Sequence, residues 1–202
     1  TKVGNIMSIV LLGSTSGSIT LQEPAVAGTS VLTLPVGTGT FVVNNVNSAI
    51  VSGTAVASTS GTSIDFTSIP SWVKKITVMF NGVSTNGTSV ILVQLGAGSV
   101  TTSGYLGTAS INTSTTLTAA YTTGFGISQQ IAATDTQYGL YTITNINSNN
   151  WVSSVSMADP SRPATSQGAG FISLSGTLDR VRITTVNGTD TFDAGSINIL
   201  YE

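Results

Sequence analysis

The segment Lys75–Asn81, with the sequence KITVMFN, places Ile76, Val78 and Phe80 at every second position. Alternation with a period of two residues is typical of a β-strand with one buried face. A second apolar run, Val90–Leu95 (VILVQL), follows after a loop rich in Asn and Gly. The two segments therefore predict neighbouring strands in a β-rich core.

Working outward from this pair, the same alternation recurs toward the C-terminus. Further strands are predicted at Tyr141–Asn145, Trp151–Met157, Phe171–Leu174, Asp179–Thr185 and Ser196–Tyr201. Turn signals separate the strands at Asn81-Gly82, Asn86-Gly87, Asn147–Asn150 and Asn187-Gly188. Only Gly126–Thr134 offers one or two helical turns. This spacing predicts an all-β fold, an antiparallel β-sandwich of the jelly-roll type with about eight strands.

The first 47 residues have a different character. Short strand-like pieces at Ser18–Leu21, Val31–Leu34 and Thr40–Val43 are joined by linkers of Gly, Thr and Ser. They carry too few large apolar side chains to close a core of their own. We therefore predict an extended N-terminal arm over residues 1–47 and a β-sandwich domain over residues 48–202.

Composition excludes several classes of function. The 202 residues include six basic and eight acidic side chains, so the chain has no basic face for nucleic acid. It contains no Cys and no His, which excludes thiol nucleophiles, histidine bases and the common zinc, haem and iron–sulfur sites. Apolar runs such as Ile9–Leu12 are far shorter than the ~18 residues of a membrane helix. We expect no cofactor, no nucleic-acid partner and no membrane insertion.

Three stretches of the chain resemble parts of bacteriophage fibre proteins. Gly17–Val43 (GSITLQEPAVAGTSVLTLPVGTGTFVV) resembles a recurrent N-terminal motif of tail-fibre and other virion structural proteins. Val51–Ser89 is similar to the start of C-terminal domains in phage tail fibres, and Thr191–Glu202 (TFDAGSINILYE) is similar to their final strand. The resemblance implies a homotrimeric fibre protein on the exposed surface of a phage particle, with no catalytic residues carried over.

The same resemblance implies that the two parts of the chain have different functions. Residues 1–47 would attach the trimer to other virion proteins, and the C-terminal domain would contact a glycan or protein of the host surface. The predicted anchoring residues are Ile6, Met7, Ile9, Val10, Leu11 and Leu12. A capsid decoration or head-fibre protein with a mainly structural role is one alternative. A bacterial adhesin or carbohydrate-binding module is another.

A sugar site is the expected form of host contact. Such sites stack a sugar ring on an aromatic side chain and satisfy its hydroxyls with amides and carboxylates. Tyr105 and Tyr141 would join the site if the loops converge, whereas the alternation around Trp151 favours a core position for that residue. The predicted contact residues are Asn147, Asn149, Asn150, Tyr138, Asp159 and Arg162.

An enzyme is the alternative from another class. A depolymerase acting on capsular sugar requires two carboxylates within about 10 Å in one cleft. A calcium-dependent module requires a cage of oxygen ligands near Asp135, Asp159 or Asp190. Asp190 and Asp193 flank a predicted turn, where Asp side chains ordinarily cap loops. We expect no catalytic residues and no bound metal.

Overall fold

The computed structural model describes residues 50–129 and 132–202 in full, and the backbone of residues 8–12 and 18–22. The chain divides into two compact units, Thr1–Val42 and Val43–Glu202. Every strand pair in the described ranges is antiparallel, and these ranges contain no helix. The chain is therefore all-β and antiparallel, as predicted.

The first unit contains one described strand pair. Strand β1 (Ser8–Leu12) pairs with β2 (Ser18–Gln22), and Val10 lies opposite Thr20. The predicted strand at Ser18–Leu21 is thus confirmed. Ile6, Met7 and the predicted strands at Val31–Leu34 and Thr40–Val43 lie outside the described residues, and the proposed anchoring by Ile9, Val10, Leu11 and Leu12 stays a prediction.

The second unit contains fourteen described strands. They overlap every strand predicted between residues 75 and 201. The strands are β3 (Val51–Ser52), β4 (Val56–Ala57), β5 (Ile64–Thr67), β6 (Lys75–Thr85), β7 (Ile91–Ala97), β8 (Ser99–Val100), β9 (Leu106–Asn112), β10 (Thr116–Tyr121), β11 (Phe125–Gly126), β12 (Gln137–Asn147), β13 (Asn150–Asp159), β14 (Ala164–Ser173), β15 (Arg180–Thr185) and β16 (Phe192–Tyr201).

Two sheets account for these strands. The larger sheet has the order β10-β9-β14-β13-β12-β6-β16-β3, and β4 also pairs with β16. The smaller sheet has the order β11-β7-β15-β5, and β8 pairs with β7. From β5 to β7 and again from β14 to β16, the chain changes sheet at each step. Neighbours within a sheet are therefore often distant in sequence.

One hydrophobic cluster joins residues of both sheets. Ile76, Val78 and Phe80 of β6 are buried in it, which confirms the face predicted for KITVMFN. Val93 of β7 and Val181 of β15 enter the same cluster from the smaller sheet. Burial of apolar area is the main force favouring folding, at about 25 cal/mol per Å². The two sheets thus stabilise each other through their inner faces.

Two local predictions are wrong. Asn81-Gly82 does not end a strand but lies inside β6, where Gly82 adopts a φ of 66° and the register with β16 shifts. A β-bulge uses the same left-handed backbone as a tight turn, so the dipeptide fits either structure. In Gly126–Thr134, the described residues form the end of β11 and a turn rather than a helix.

The bulge at Gly82 in β6 lies opposite a second glycine with positive φ, Gly195 in β16. Gly195 has a φ of 90°, and a Cβ built on it would lie 2.4 Å from the carbonyl oxygen of Gly82. A methyl group at residue 195 would therefore meet both left-handed strain and overlap with backbone. Gly98, in the β7–β8 turn, has a φ of 72° but no atom within 4 Å of such a Cβ.

This contrast predicts the effect of two matched substitutions. We expect Gly195→Ala to lower the free energy of unfolding by more than about 2 kcal/mol, because strain and overlap add. Gly98→Ala should cost only about 1 kcal/mol, because strain acts alone. Guanidinium unfolding of the two variants measures the difference. Equal losses would show that the backbone of β6 moves freely away from residue 195.

Candidate functional site

The predicted sugar-contact residues fall into two groups at opposite ends of β12. Asn147 and Asn150 are paired at the β12–β13 turn, whereas Tyr138 is paired with Ala158 at the other end. Nine residues of extended chain separate Tyr138 from Asn147, which corresponds to roughly 30 Å. The structure thus brings Asn147, Asn149 and Asn150 together at one end of the strand pair, and Tyr138, Asp159 and Arg162 at the other.

The Asn-rich turn is occupied with its own hydrogen bonds. The side-chain amide nitrogen (Nδ2) of Asn145 donates to the backbone carbonyls of Ser148 and Asn150 at 3.0 and 3.1 Å. Asn150 donates to the side-chain oxygen of Asn147 at 2.7 Å. Trp151 is buried, as the alternation predicted, so its ring is not presented to a ligand. The turn gains its shape from these amides and offers no stacking surface from Trp151.

Tyr105 and Tyr141 do not line a surface site. Both are fully buried against Phe125, Tyr105 in an edge-to-face contact and Tyr141 in a stacked one. The hydroxyl of Tyr105 accepts a hydrogen bond from the amide of Leu95 at 2.7 Å, and burial raises the pKa of Tyr105 to about 12. Burial also raises the pKa of Tyr141. The expectation that these two rings join a sugar site is wrong, because aromatic residues serve the core here.

Asp159 and Arg162 belong to a buried polar cluster with Asp135. Arg162 forms ion pairs with both carboxylates, through Nη2 to Asp135 and through Nε to Asp159 at 3.7 Å. Asp159 also accepts hydrogen bonds from the amides of Thr136 and Ser161. The cluster thereby joins the segment before β12 to the β13–β14 turn.

Burial of the Asp135 carboxyl disfavours its ionised form. Burial raises its pKa above the ordinary value, and the adjacent Asp159 adds to the increase, while the Ala132 amide and Arg162 oppose it. Asp135 and Asp159 are hydrogen-bonding neighbours, closer than the roughly 5 to 9.5 Å between the carboxyls of a glycosidase, and both are almost completely buried and accept hydrogen bonds from loop amides. Within the described ranges, no set of three or more His, Cys, Asp or Glu side chains is placed to hold a metal ion.

Asp190 stabilises a loop, as its turn position predicted, whereas Asp193 lies in β16 and not in a turn. Asp190 accepts hydrogen bonds from the amide of Ser89 at 2.9 Å and from the side chain of Asn187 at 2.6 Å. Asp193 accepts one from the hydroxyl of Ser84. The Asp190 contact connects the β15–β16 loop with the β6–β7 loop, and the Asp193 contact connects β16 with β6. The two carboxylates therefore have structural partners on the neighbouring chain segments.

The outer face of the smaller sheet carries a concave surface, which we call the hydroxyl groove. Its volume is about 370 Å³. Strand pairing builds its floor, because Arg182 lies opposite Gln94 in the register of β15 and β7. Hydroxyl side chains dominate the walls. The groove is lined in part by Ser63, Gln94, Thr102, Thr123, Arg182 and Thr184.

Internal hydrogen bonds fix the polar groups of the hydroxyl groove. Gln94 donates to the carbonyl of Thr123 at 2.7 Å, and Thr184 donates to the carbonyl of Thr62 at 2.9 Å. Arg182 makes a bidentate pair with Asp65, with distances of 2.7 and 2.8 Å. The groove is therefore polar and locally neutral. No local motif marks it in the sequence, because hydroxyl residues occur throughout the chain and β7 and β15 are far apart.

The buried cluster predicts a specific pH dependence. Because the pKa of Asp135 is higher in the folded than in the unfolded chain, the folded state binds this proton more tightly. The contribution of Asp135 to stability must then fall as the pH rises through its titration. Relative to Asp135→Asn, the wild type should lose stability as the pH rises above about 4, the ordinary pKa of an Asp carboxyl, as measured by guanidinium unfolding.

Asp179 provides a control of opposite sign. Hydrogen bonds from Arg180 lower its pKa, so its contribution to stability is present at neutral pH and is lost as the pH falls. Relative to Asp179→Asn, the wild type should therefore gain stability as the pH rises to about 5 and stay constant above it. Parallel curves for the wild type and Asp135→Asn would contradict the role assigned to Asp135.

Comparison with known proteins assigns no relative to this geometry. No protein-family model, no curated protein and no solved structure matches the chain. Within the described ranges, no helix is long and apolar enough to cross a membrane. The chemistry of the hydroxyl groove and of the buried cluster must therefore be argued from their own residues.

Proposed function

We propose that this chain is a structural and host-binding protein of a bacteriophage virion. It forms a homotrimeric fibre, attached to the particle through residues 1–47 and exposed at its surface. The observation that carries the proposal is the order of the fibre-like stretches, with Gly17–Val43 near the start and Thr191–Glu202 at the end. An all-β domain lies where the resemblance expects the host-binding part.

We assign the C-terminal domain to the jelly rolls. Eight of its strands are, in chain order, β4, β5, β6, β7, β11, β12, β15 and β16. Numbered one to eight, they give the orders 1-8-3-6 in the larger sheet and 2-7-4-5 in the smaller. This arrangement supports a double Greek key of the jelly-roll type. Strands β9, β10, β13 and β14 then extend the larger sheet beyond β12.

The hydroxyl groove is the proposed point of glycan contact, in place of the Asn147–Asn150 turn. Its volume lies at the lower end of the range of about 300 to 1,000 Å³ typical of ligand sites. Fixed hydroxyl, amide and guanidinium groups match the hydrogen-bonding pattern of a neutral sugar. Three such grooves on one trimer would bind a repetitive surface far more tightly than one groove alone.

A capsid decoration or head-fibre protein with a mainly structural role is the second candidate. One observation favours it, because none of the side chains lining the hydroxyl groove is aromatic. Sugar sites commonly gain much of their affinity from a stacked ring. Without such a ring, a single groove would bind weakly, and attachment to the particle would be the main task of the chain.

Filling the groove tests the glycan contact. Thr102 is exposed and lines the groove, so Thr102→Trp should obstruct it and weaken binding to immobilised bacterial surface polysaccharides by about tenfold or more. Ser114→Trp, at the exposed β9–β10 turn, provides a control of equal size. Biolayer interferometry measures both. Undiminished binding by the Thr102 variant would exclude the groove as the contact.

Antibody labelling tests the location on the virion. Antibodies raised against the full chain should label intact phage particles in negative-stain electron microscopy. Label on tail appendages supports the fibre, and label distributed over the head supports the decoration. Particles free of label, from a lysate in which the protein is detected by immunoblot, would contradict a virion protein of either kind.

A further inference from the structure

The outer face of the larger sheet carries a row of exposed apolar side chains. Leu106 of β9 lies opposite Phe171 of β14, which lies opposite Val152 of β13. Leu106 is 69% exposed and Val152 is 36% exposed. On β12, Leu140 is 51% exposed. Leu106, Phe171 and Val152 are neighbours on adjacent strands, whereas Leu140 lies four residues along β12 from Thr144, the partner of Val152. Exposed apolar patches mark contact surfaces.

The part of this outer face around Leu106, Phe171 and Val152 lacks charge, which restricts its partner. Among the described strands of the larger sheet, the exposed charged residues are Lys75 at the start of β6, which pairs with Glu202, and Asp193 near the start of β16, which accepts a hydrogen bond from Ser84. A partner that presents charges would have to desolvate them without compensation. Nucleic acid, an anionic bilayer and a charged peptide are therefore poorly matched. The face suits a surface as poor in charge as itself.

The shape of this face is complementary to the same face on a second copy, because it combines a row of large side chains with a row of small ones. Next to the apolar row runs a row of small side chains, in which Thr108 lies opposite Ala169, Ala169 opposite Ser154, and Ser154 opposite Thr142. In a closed ring of three copies, the large side chains of one copy can pack over the small row of the next copy. Both surfaces required for such packing are present on one chain.

The size of the face is sufficient for a specific interface. Seven strands of the larger sheet, spaced about 4.8 Å apart and with about six residues each, give an area on the order of 700 Å². A standard protein interface buries about 800 Å² on each partner. The face therefore approaches the area that stable association needs, before any contribution from residues 1–47.

We infer that the outer face of the larger sheet, centred on Leu106, Phe171 and Val152, is covered by another copy of this chain. The inference rests on the self-association in the proposed function and names the surface that mediates it. Charge depletion at the core of the contact and apolar anchors within it are the usual features of an interface between identical subunits.

Charge insertion tests the inference. Leu106→Glu and Val152→Glu place a carboxylate in the proposed contact, and Val186→Glu places one at a 50% exposed apolar position in the β15–β16 loop. Size-exclusion chromatography with light scattering should give about 62 kDa for the wild type, three times the 20.5 kDa chain, and for Val186→Glu. The two face variants should shift to 20.5 kDa, with circular dichroism spectra like that of the wild type.

A second measurement does not depend on a disruptive substitution. Because the chain has no cysteine, Ser154→Cys and Ser114→Cys each introduce a single thiol. Both residues are exposed in the isolated chain. In the assembled protein, maleimide should label Cys at position 154 roughly tenfold more slowly than Cys at position 114, because water is excluded from an interface core. Combining Leu106→Glu with Ser154→Cys should remove this protection.

The possible results distinguish failure of the proposed trimer from failure of the proposed interface. A wild type of 20.5 kDa at every concentration would overturn both the proposed trimer and this interface. A wild-type trimer that persists in both Glu variants, with position 154 labelled quickly, would overturn the interface and leave the trimer. A trimer lost only in the face variants, with position 154 protected, supports both.

Discussion

Burial of β7 on both faces is the constraint on which much of the second unit depends. Val93 and Leu95 face the core, while Leu92 and Gln94 face outward yet are also buried. Gly124 covers this outer side, and a Cβ on it would lie 3.0 Å from Gln94, so a larger residue there would crowd the Gln94 side chain. The same covering segment, which includes Thr123, forms one wall of the hydroxyl groove. The groove is thus a consequence of covering a central strand from outside.

The few charged side chains act locally. Asp190 tethers two loops, and Arg162 holds two carboxylates that would otherwise be buried without a counter-charge. Arg182 is neutralised by Asp65 beside the groove. Because the strands β9, β10, β12 and β14 carry no charged residue and Asp159 of β13 is buried, the outer face of the larger sheet over these strands is neutral. The distribution of charge, rather than its total, distinguishes the two outer faces.

Sequence patterns predicted the strands wherever one face alternates clearly, as in Lys75–Asn81 and around Trp151. They missed the β9–β10 hairpin, because Leu106–Tyr121 is built largely from Gly, Ala, Ser and Thr, which have little contrast in hydropathy. They also misplaced Tyr105 and Tyr141, since residue type alone does not tell whether a ring packs inward. The hydroxyl groove was beyond such patterns, because it arises from pairing between β7 and β15, some ninety residues apart.

Pairing of β3 and β4 with β16 restricts where a label or tag can be attached to this domain. Val51 lies opposite Tyr201, so the start of the domain and the end of the chain share one edge of the larger sheet. A fluorescent protein or affinity tag fused after Glu202 would emerge beside the strand through which the chain enters. Labels that must leave this strand pairing undisturbed therefore belong in internal turns such as that around Ser114.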